Sequence, residues 1–167
     1  MVGRALLGVL FLSVPTVGWA QEQAAAPSVE GVWKVAEIVT TGAQATTNSS
    51  PQPSLIIFSR GHYSYLSIGA TEPRPNVAPK DPDKLTDAEK IAKYGEWDPF
   101  TANAGTYEVK GTTLTRRPLV AKNQAVMTTN PPIIQEWKLE GSTLWLITKA
   151  AAGQPASETR TKLVRVQ

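Results

Sequence analysis

Three short glycine turns, Ser59-Arg60-Gly61, Lys110-Gly111 and Glu140-Gly141, each separate two runs of alternating apolar and polar residues. A tight hairpin needs positive φ, which glycine adopts without steric cost, so each turn joins two neighbouring antiparallel strands. The flanking runs are residues 54–58 and 62–68, 104–109 and 112–117, and 133–139 and 143–148, all carrying β-branched or aromatic side chains. Residues 32–39 before them and 158–166 after them complete eight strands. An open sheet of that many strands has two raw edges, and closure removes both. The expected fold is all-β, an eight-stranded antiparallel up-and-down barrel of a size that can hold one small ligand.

Two connections break the hairpin rhythm. Residues 40–53 (TTGAQATTNSSPQP) form a polar, turn-rich loop between the first and second strands. Residues 69–103 begin with Pro73, Pro75, Pro79 and Pro82 and then carry a capping box, Thr86-Asp87-Ala88-Glu89. The box predicts a helix over residues 87–94, ended by Gly95 at the C′ position and inserted between the third and fourth strands. Leu85, Ala88, Ile91, Ala92 and Tyr94 give it an apolar side to set against the barrel. A connection this long inside one compact domain is usually functional or a cover.

The first strand opens with Gly31-Val32-Trp33 and the last ends with Leu163-Val164-Arg165-Val166. A Gly-x-Trp at the start of a barrel with a basic residue near its end resembles the lipocalin family. Ala102-Asn103-Ala104-Gly105-Thr106-Tyr107 and Leu119-Val120-Ala121-Lys122-Asn123 are similar to the bacterial lipocalin-like domain proteins. The resemblance implies a barrel closed at one end by Gly31, Trp33 and Arg165, with the indole under the guanidinium and the 40–53 loop over the open mouth. It spans residues 31–166. The Thr-Asp-Tyr motif of true lipocalins is absent, and their main helix follows the last strand instead of preceding the fourth.

Residues 1–20 read as a signal peptide, with Arg4 in the charged region, an apolar run over 5–14, and Gly18-Trp19-Ala20 offering small residues at the cleavage positions. Residues 21–28 are a flexible leader and 29–167 the barrel domain. Cleavage near Ala20 leaves 167 − 20 = 147 residues, enough for one core. The expected location is periplasmic or extracellular. The chain has no cysteine, so neither a lipid anchor nor a disulfide framework is available and the core must hold the fold. No segment has the roughly 20 consecutive apolar residues of a transmembrane helix. A formal net charge of +3 with interspersed signs leaves no basic track for a nucleic-acid backbone. Nothing in the sequence specifies an oligomeric state.

The candidate ligand-binding residues are Glu37, Tyr63, Tyr65, Tyr107, Arg116, Trp137 and Trp145. Period-two alternation puts Glu37 on the face of Trp33, either inside the barrel or near a solvated mouth. It puts Tyr63 and Tyr65 together, and Trp137 with Gln135 and Leu139. In the seventh strand, Trp145 with Ile147 and Leu144 with Leu146 compete for the interior. Arg116-Arg117 lies at the end of its strand; an inward guanidinium could hold a carboxylate through two hydrogen bonds, and the alternative is a solvated strand end. His62 is the sole histidine and sits beside a turn, so no zinc cluster or catalytic triad can be assembled around it. No cofactor or metal is expected, and no catalytic residue is marked. The favoured reading is a carrier of a small apolar or amphipathic molecule. The alternatives are a barrel enzyme (isomerase, cyclase or hydrolase) using pocket carboxylates or Tyr65, and an interaction or inhibitor module acting through its loops.

Overall fold

The computed structural model describes residues 27–74, 76, 78–128 and 132–166. Residues 1–20, expected to be a signal peptide, and residues 21–26 of the expected leader lie outside the described residues. The chain forms β1 (Gly31–Gly42), β2 (Thr46–Asn48), β3 (Ser54–Ser59), β4 (His62–Ile68), α1 (Asp87–Trp97), β5 (Phe100–Lys110), β6 (Thr113–Ala121), α2 (Gln124–Thr128), β7 (Ile133–Glu140), β8 (Thr143–Lys149) and β9 (Ser157–Arg165). Every strand from β3 to β9 pairs antiparallel with the next, β1 pairs with both β3 and β9, and the eight long strands thereby close into a barrel.

β2 corrects the expected loop. Within residues 40–53, Thr46–Asn48 folds back along the end of β1, opposite Ile38, Val39 and Thr40. This extra strand also places α1 between the fourth and fifth strands instead of the third and fourth.

The two ends of the barrel are unlike. The β3–β4, β5–β6 and β7–β8 hairpins lie at one end, where Gly61, Gly111 and Gly141 all have positive φ. The four long connections, β1–β3, β4–β5, β6–β7 and β8–β9, lie at the other. The hairpin end is the floor and is packed solid: Val29, Trp33, Ile56, Phe58, Tyr63, Leu114, Leu144, Leu146 and Leu163 form one buried core. Trp33 is fully buried, donates its indole N–H to Val29 O (2.8 Å) and faces the Arg165 guanidinium 4.2 Å from the ring centroid. Arg165 Nη1 in turn donates to Glu30 O (3.0 Å). Gly31 sits at φ +132°, a conformation that L side chains rarely adopt, and a Cβ there would push the Arg165 guanidinium out of its place.

α1 departs from expectation in two ways. The capping box forms, with Thr86 Oγ1 accepting from Glu89 N–H and Thr86 N–H donating to Glu89 Oε2, but the helix runs through Gly95 to Trp97. Lys122 Nζ, from the end of β6, binds the carbonyls of Trp97 and Asp98 and neutralises the helix C-terminus, which makes a glycine stop unnecessary. The apolar side is not packed: α1 buries no residue, and Ile91, Tyr94 and Trp97 are exposed. The helix is held at its end instead, where Trp97 meets Phe100 edge-on (5.8 Å) and Arg74 lies over both rings.

Candidate functional site

Residues directly opposite each other on paired antiparallel strands share a face, so register fixes which side chains look inward. From the core, the inner face follows upward: Val35, Ile38 and Thr40 on β1; Ser54 and Ile56 on β3; Tyr65 and Ser67 on β4; Thr101 and Asn103 on β5; Arg116 and Ala121 on β6; Ile133, Gln135 and Trp137 on β7; Thr148 on β8; Thr159 and Thr161 on β9. The floor is apolar and buried, whereas Ile38, Thr40, Ser54, Tyr65, Ser67, Asn103, Gln135, Thr159 and Thr161 above it are all half-buried. An inward residue that still meets solvent must line open space, so the upper half of the barrel is a cup.

Arg116 stands at the base of that cup. Strand β6 does not stop at Arg117: it continues through Pro118 to Ala121, with a register shift that leaves Leu119 as the extra residue. A bulge is where a strand tolerates proline, and Gly105 opposite allows the close approach, since a Cβ there would overlap Arg117 O. Extension of the strand keeps alternation in force, so Arg116 points in and Arg117 out. Arg116 is 6% exposed. Its carbon Cζ lies 5.3 Å from the Tyr63 ring centroid and 5.6 Å from that of Tyr65, and Nη2 donates to Gln135 Oε1 (2.9 Å). Gln135 Nε2 passes the chain on to Thr148 Oγ1 (2.9 Å) near the mouth. Tyr63 OH donates to Asn103 Oδ1 (2.8 Å).

Burial pulls the Arg116 guanidinium below its ordinary value, with the two tyrosines opposing the shift; arginine side chains in proteins stay protonated, so the group is a cation. Burial likewise pushes the Tyr63 hydroxyl up, with Arg116 opposing it. Arg116 Nε and Nη1 are buried without a hydrogen-bond partner, and among the described residues no carboxylate pairs with the guanidinium.

The other candidates separate. Tyr65 lines the cup beside Arg116, whereas Tyr63, also against the guanidinium, belongs to the floor. Tyr107 faces inward but belongs to the floor: its ring meets Phe58 edge-on at 5.1 Å and its hydroxyl donates to Glu30 Oε1. Trp137 is also inward and low, with its indole N–H on Gly111 O of the β5–β6 turn (3.0 Å). Glu37 is a correction: a bulge between Val35 and Glu37 reverses the alternation, so Glu37 pairs with outward Lys162. Trp145 is a second. It lies on the outer face, where its indole donates to Glu140 Oε2 (3.0 Å) and Lys162 Nζ lies 5.8 Å from its ring. Leu144 and Leu146 take the interior instead. Gln135, Asn103 and Thr148 complete the polar part of the cup; sequence alternation placed Gln135 beside Trp137 but did not mark it as a partner of Arg116.

A cavity of about 430 Å³ opens at the mouth between α1, β5 and the β6–α2 segment, lined by Tyr94, Phe100, Thr101, Asn103, Lys122 and Val126. It reaches the inner face at Asn103. A hollow of about 470 Å³ under the β8–β9 connection is lined largely by Ala150–Ala152, Gly153 and Ala156 and contains no aromatic side chain. Among the described residues no cluster of histidine and carboxylate groups is arranged to hold a metal ion, and no helix is long and apolar enough to cross a membrane. No protein-family model matches the chain, and comparison with curated proteins finds no match.

Proposed function

We propose that the protein is a lipocalin-like carrier, exported after loss of residues 1–20, that takes a small amphipathic molecule into the upper half of its barrel. The observation that carries this reading is the division of the inner face. A packed apolar floor lies beneath a ring of half-buried residues in which Ile38, Ile133 and Tyr65 alternate with hydroxyl and amide groups. A barrel built for stability alone would fill both halves, because interiors are close-packed and each fully buried large apolar side chain contributes about 1.5–3 kcal/mol. Mixed lining of this kind suits a ligand with an apolar body and a polar end. The Gly-x-Trp/Arg closure of the floor supports the lipocalin-like reading.

The test is titration with a long-chain amphiphile or an environment-sensitive apolar dye, followed by tryptophan emission. Saturable quenching is expected, and Tyr65→Ala should weaken binding while the protein stays folded. If no apolar or amphipathic probe binds saturably, the carrier reading fails.

A further inference from the structure

We infer that the ligand carries a single carboxylate and that Arg116 is its anchor, an inference that rests on the carrier reading and narrows its substrate class. A guanidinium has five N–H donors arranged in two forked edges. Gln135 occupies one hydrogen of Nη2, and Nε and Nη1 have no partner. Whichever Nη2 hydrogen Gln135 takes, one complete fork remains for a carboxylate, the planar anion that accepts two parallel N–H bonds.

Buried cations are normally paired, because removing one from water without compensation is costly. Among the described residues the inner face offers Arg116 no carboxylate: the bulge turns Glu37 outward, Glu108 binds Lys110 (2.9 Å) and Glu136 binds Lys149 (2.6 Å) on the outside. The two tyrosine rings supply part of the compensation through their faces. The rest is missing until an anion arrives. Among the described residues Arg116 is the sole charged side chain in the inner-face positions above the floor, so the matching ligand is a monoanion; a phosphate dianion would need a second cation.

Gln135 supplies the entry route. Its amide oxygen sits on Nη2 as a neutral stand-in, and its amide nitrogen is already bonded to Thr148 toward the mouth. A carboxylate entering past Asn103 and Thr148 displaces a neutral acceptor by a charged one, and the amide is left with its Thr148 bond. The apolar body of the ligand then lies against Tyr65, Ile133 and Ile38.

Dodecanoate and the neutral dodecanol, titrated into the same protein, separate head from tail. Charge-assisted hydrogen bonds to the head should make dodecanoate bind about 10- to 100-fold more tightly. In Arg116→Met that preference should vanish while dodecanol binding persists. The variant should be at least as stable as the parent when ligand-free, because an apolar residue of similar volume replaces an uncompensated charge. Should the variant not fold, Gln135→Leu decides: loss of the competing acceptor should tighten dodecanoate and leave dodecanol unchanged. Equal affinity of the parent for the two probes overturns the carboxylate assignment and leaves the carrier reading standing. Binding of neither overturns both. A preference that survives in Arg116→Met assigns the head group to another residue.

Discussion

At the scale of single residues, the floor depends on Trp33 and Arg165. Removing the indole opens a cavity in a fully buried site, so Trp33→Ala should cost about 3–5 kcal/mol in a denaturant melt. Arg165→Ala should cost less, and the two losses should not add, since the groups touch at 4.2 Å. A double-mutant cycle that closes additively would show that the contact contributes nothing. Two tyrosines set the alkaline limit. Tyr63 is raised above its ordinary value of 10.0 by burial, and Tyr107 by burial and then by its bond to Glu30. The folded state therefore holds these protons more tightly than the unfolded chain. Their contribution is fully present below about pH 10, the unfolded value, and is lost as the pH rises through the raised folded values. Stability measured from pH 8 upward should fall beyond about pH 10, and Tyr107→Phe should make that fall shallower.

Among the elements, α1 stands apart because it contributes no buried residue to the core. Its order comes from the Thr86–Glu89 box at one end and from Lys122, Arg74 and Phe100 at the other. The box also holds the Glu89 carboxyl below its usual range, chiefly through the Thr86 hydroxyl. That support is present at neutral pH and disappears as the pH falls through the lowered value. Thr86→Ala should therefore abolish hydrogen-exchange protection across α1 while changing global stability by less than about 0.5 kcal/mol, as for a surface site. A large fall in the global melting temperature would mean that α1 is part of the cooperative core. Because Tyr94 of α1 lines the mouth cavity and α1 buries nothing in the core, loosening of α1 would alter the entry of the proposed ligand without altering the barrel.

For the whole molecule, closure between β1 and β9 joins the chain's first and last strands over nine register pairs, so folding requires contacts of the longest sequence separation available. Such topologies fold slowly compared with helical domains, and the proposed export would require the chain to cross a membrane before it folds. N-terminal sequencing of protein recovered from the periplasm or medium should begin at Gln21 or within a few residues. An intact Met1 terminus confined to the cytoplasm would refute export.

The barrel was legible because hairpin chemistry and period-two patterning are local: Gly61, Gly111 and Gly141 announce their turns, while the floor at Gly31, Trp33 and Arg165 was expected from a family resemblance. The capping box at Thr86 was legible for the same reason. What only the tertiary structure decided were the quantities that depend on a neighbouring strand. The bulge after Val35 exists only relative to β9, and it reversed the direction of Glu37. Trp145 lies outside because Leu144 and Leu146 fit the interior better packed. Continuation of β6 past Pro118 needed Gly105 on the opposite strand, and with it came an inward Arg116. Asn123 caps the start of α2 by accepting from Ala125 N–H, a local signal too short to stand out against the strand pattern. The resulting asymmetry, a packed floor beneath a cup in which Arg116 meets no carboxylate among the described residues, follows from where strands meet, which no single strand encodes.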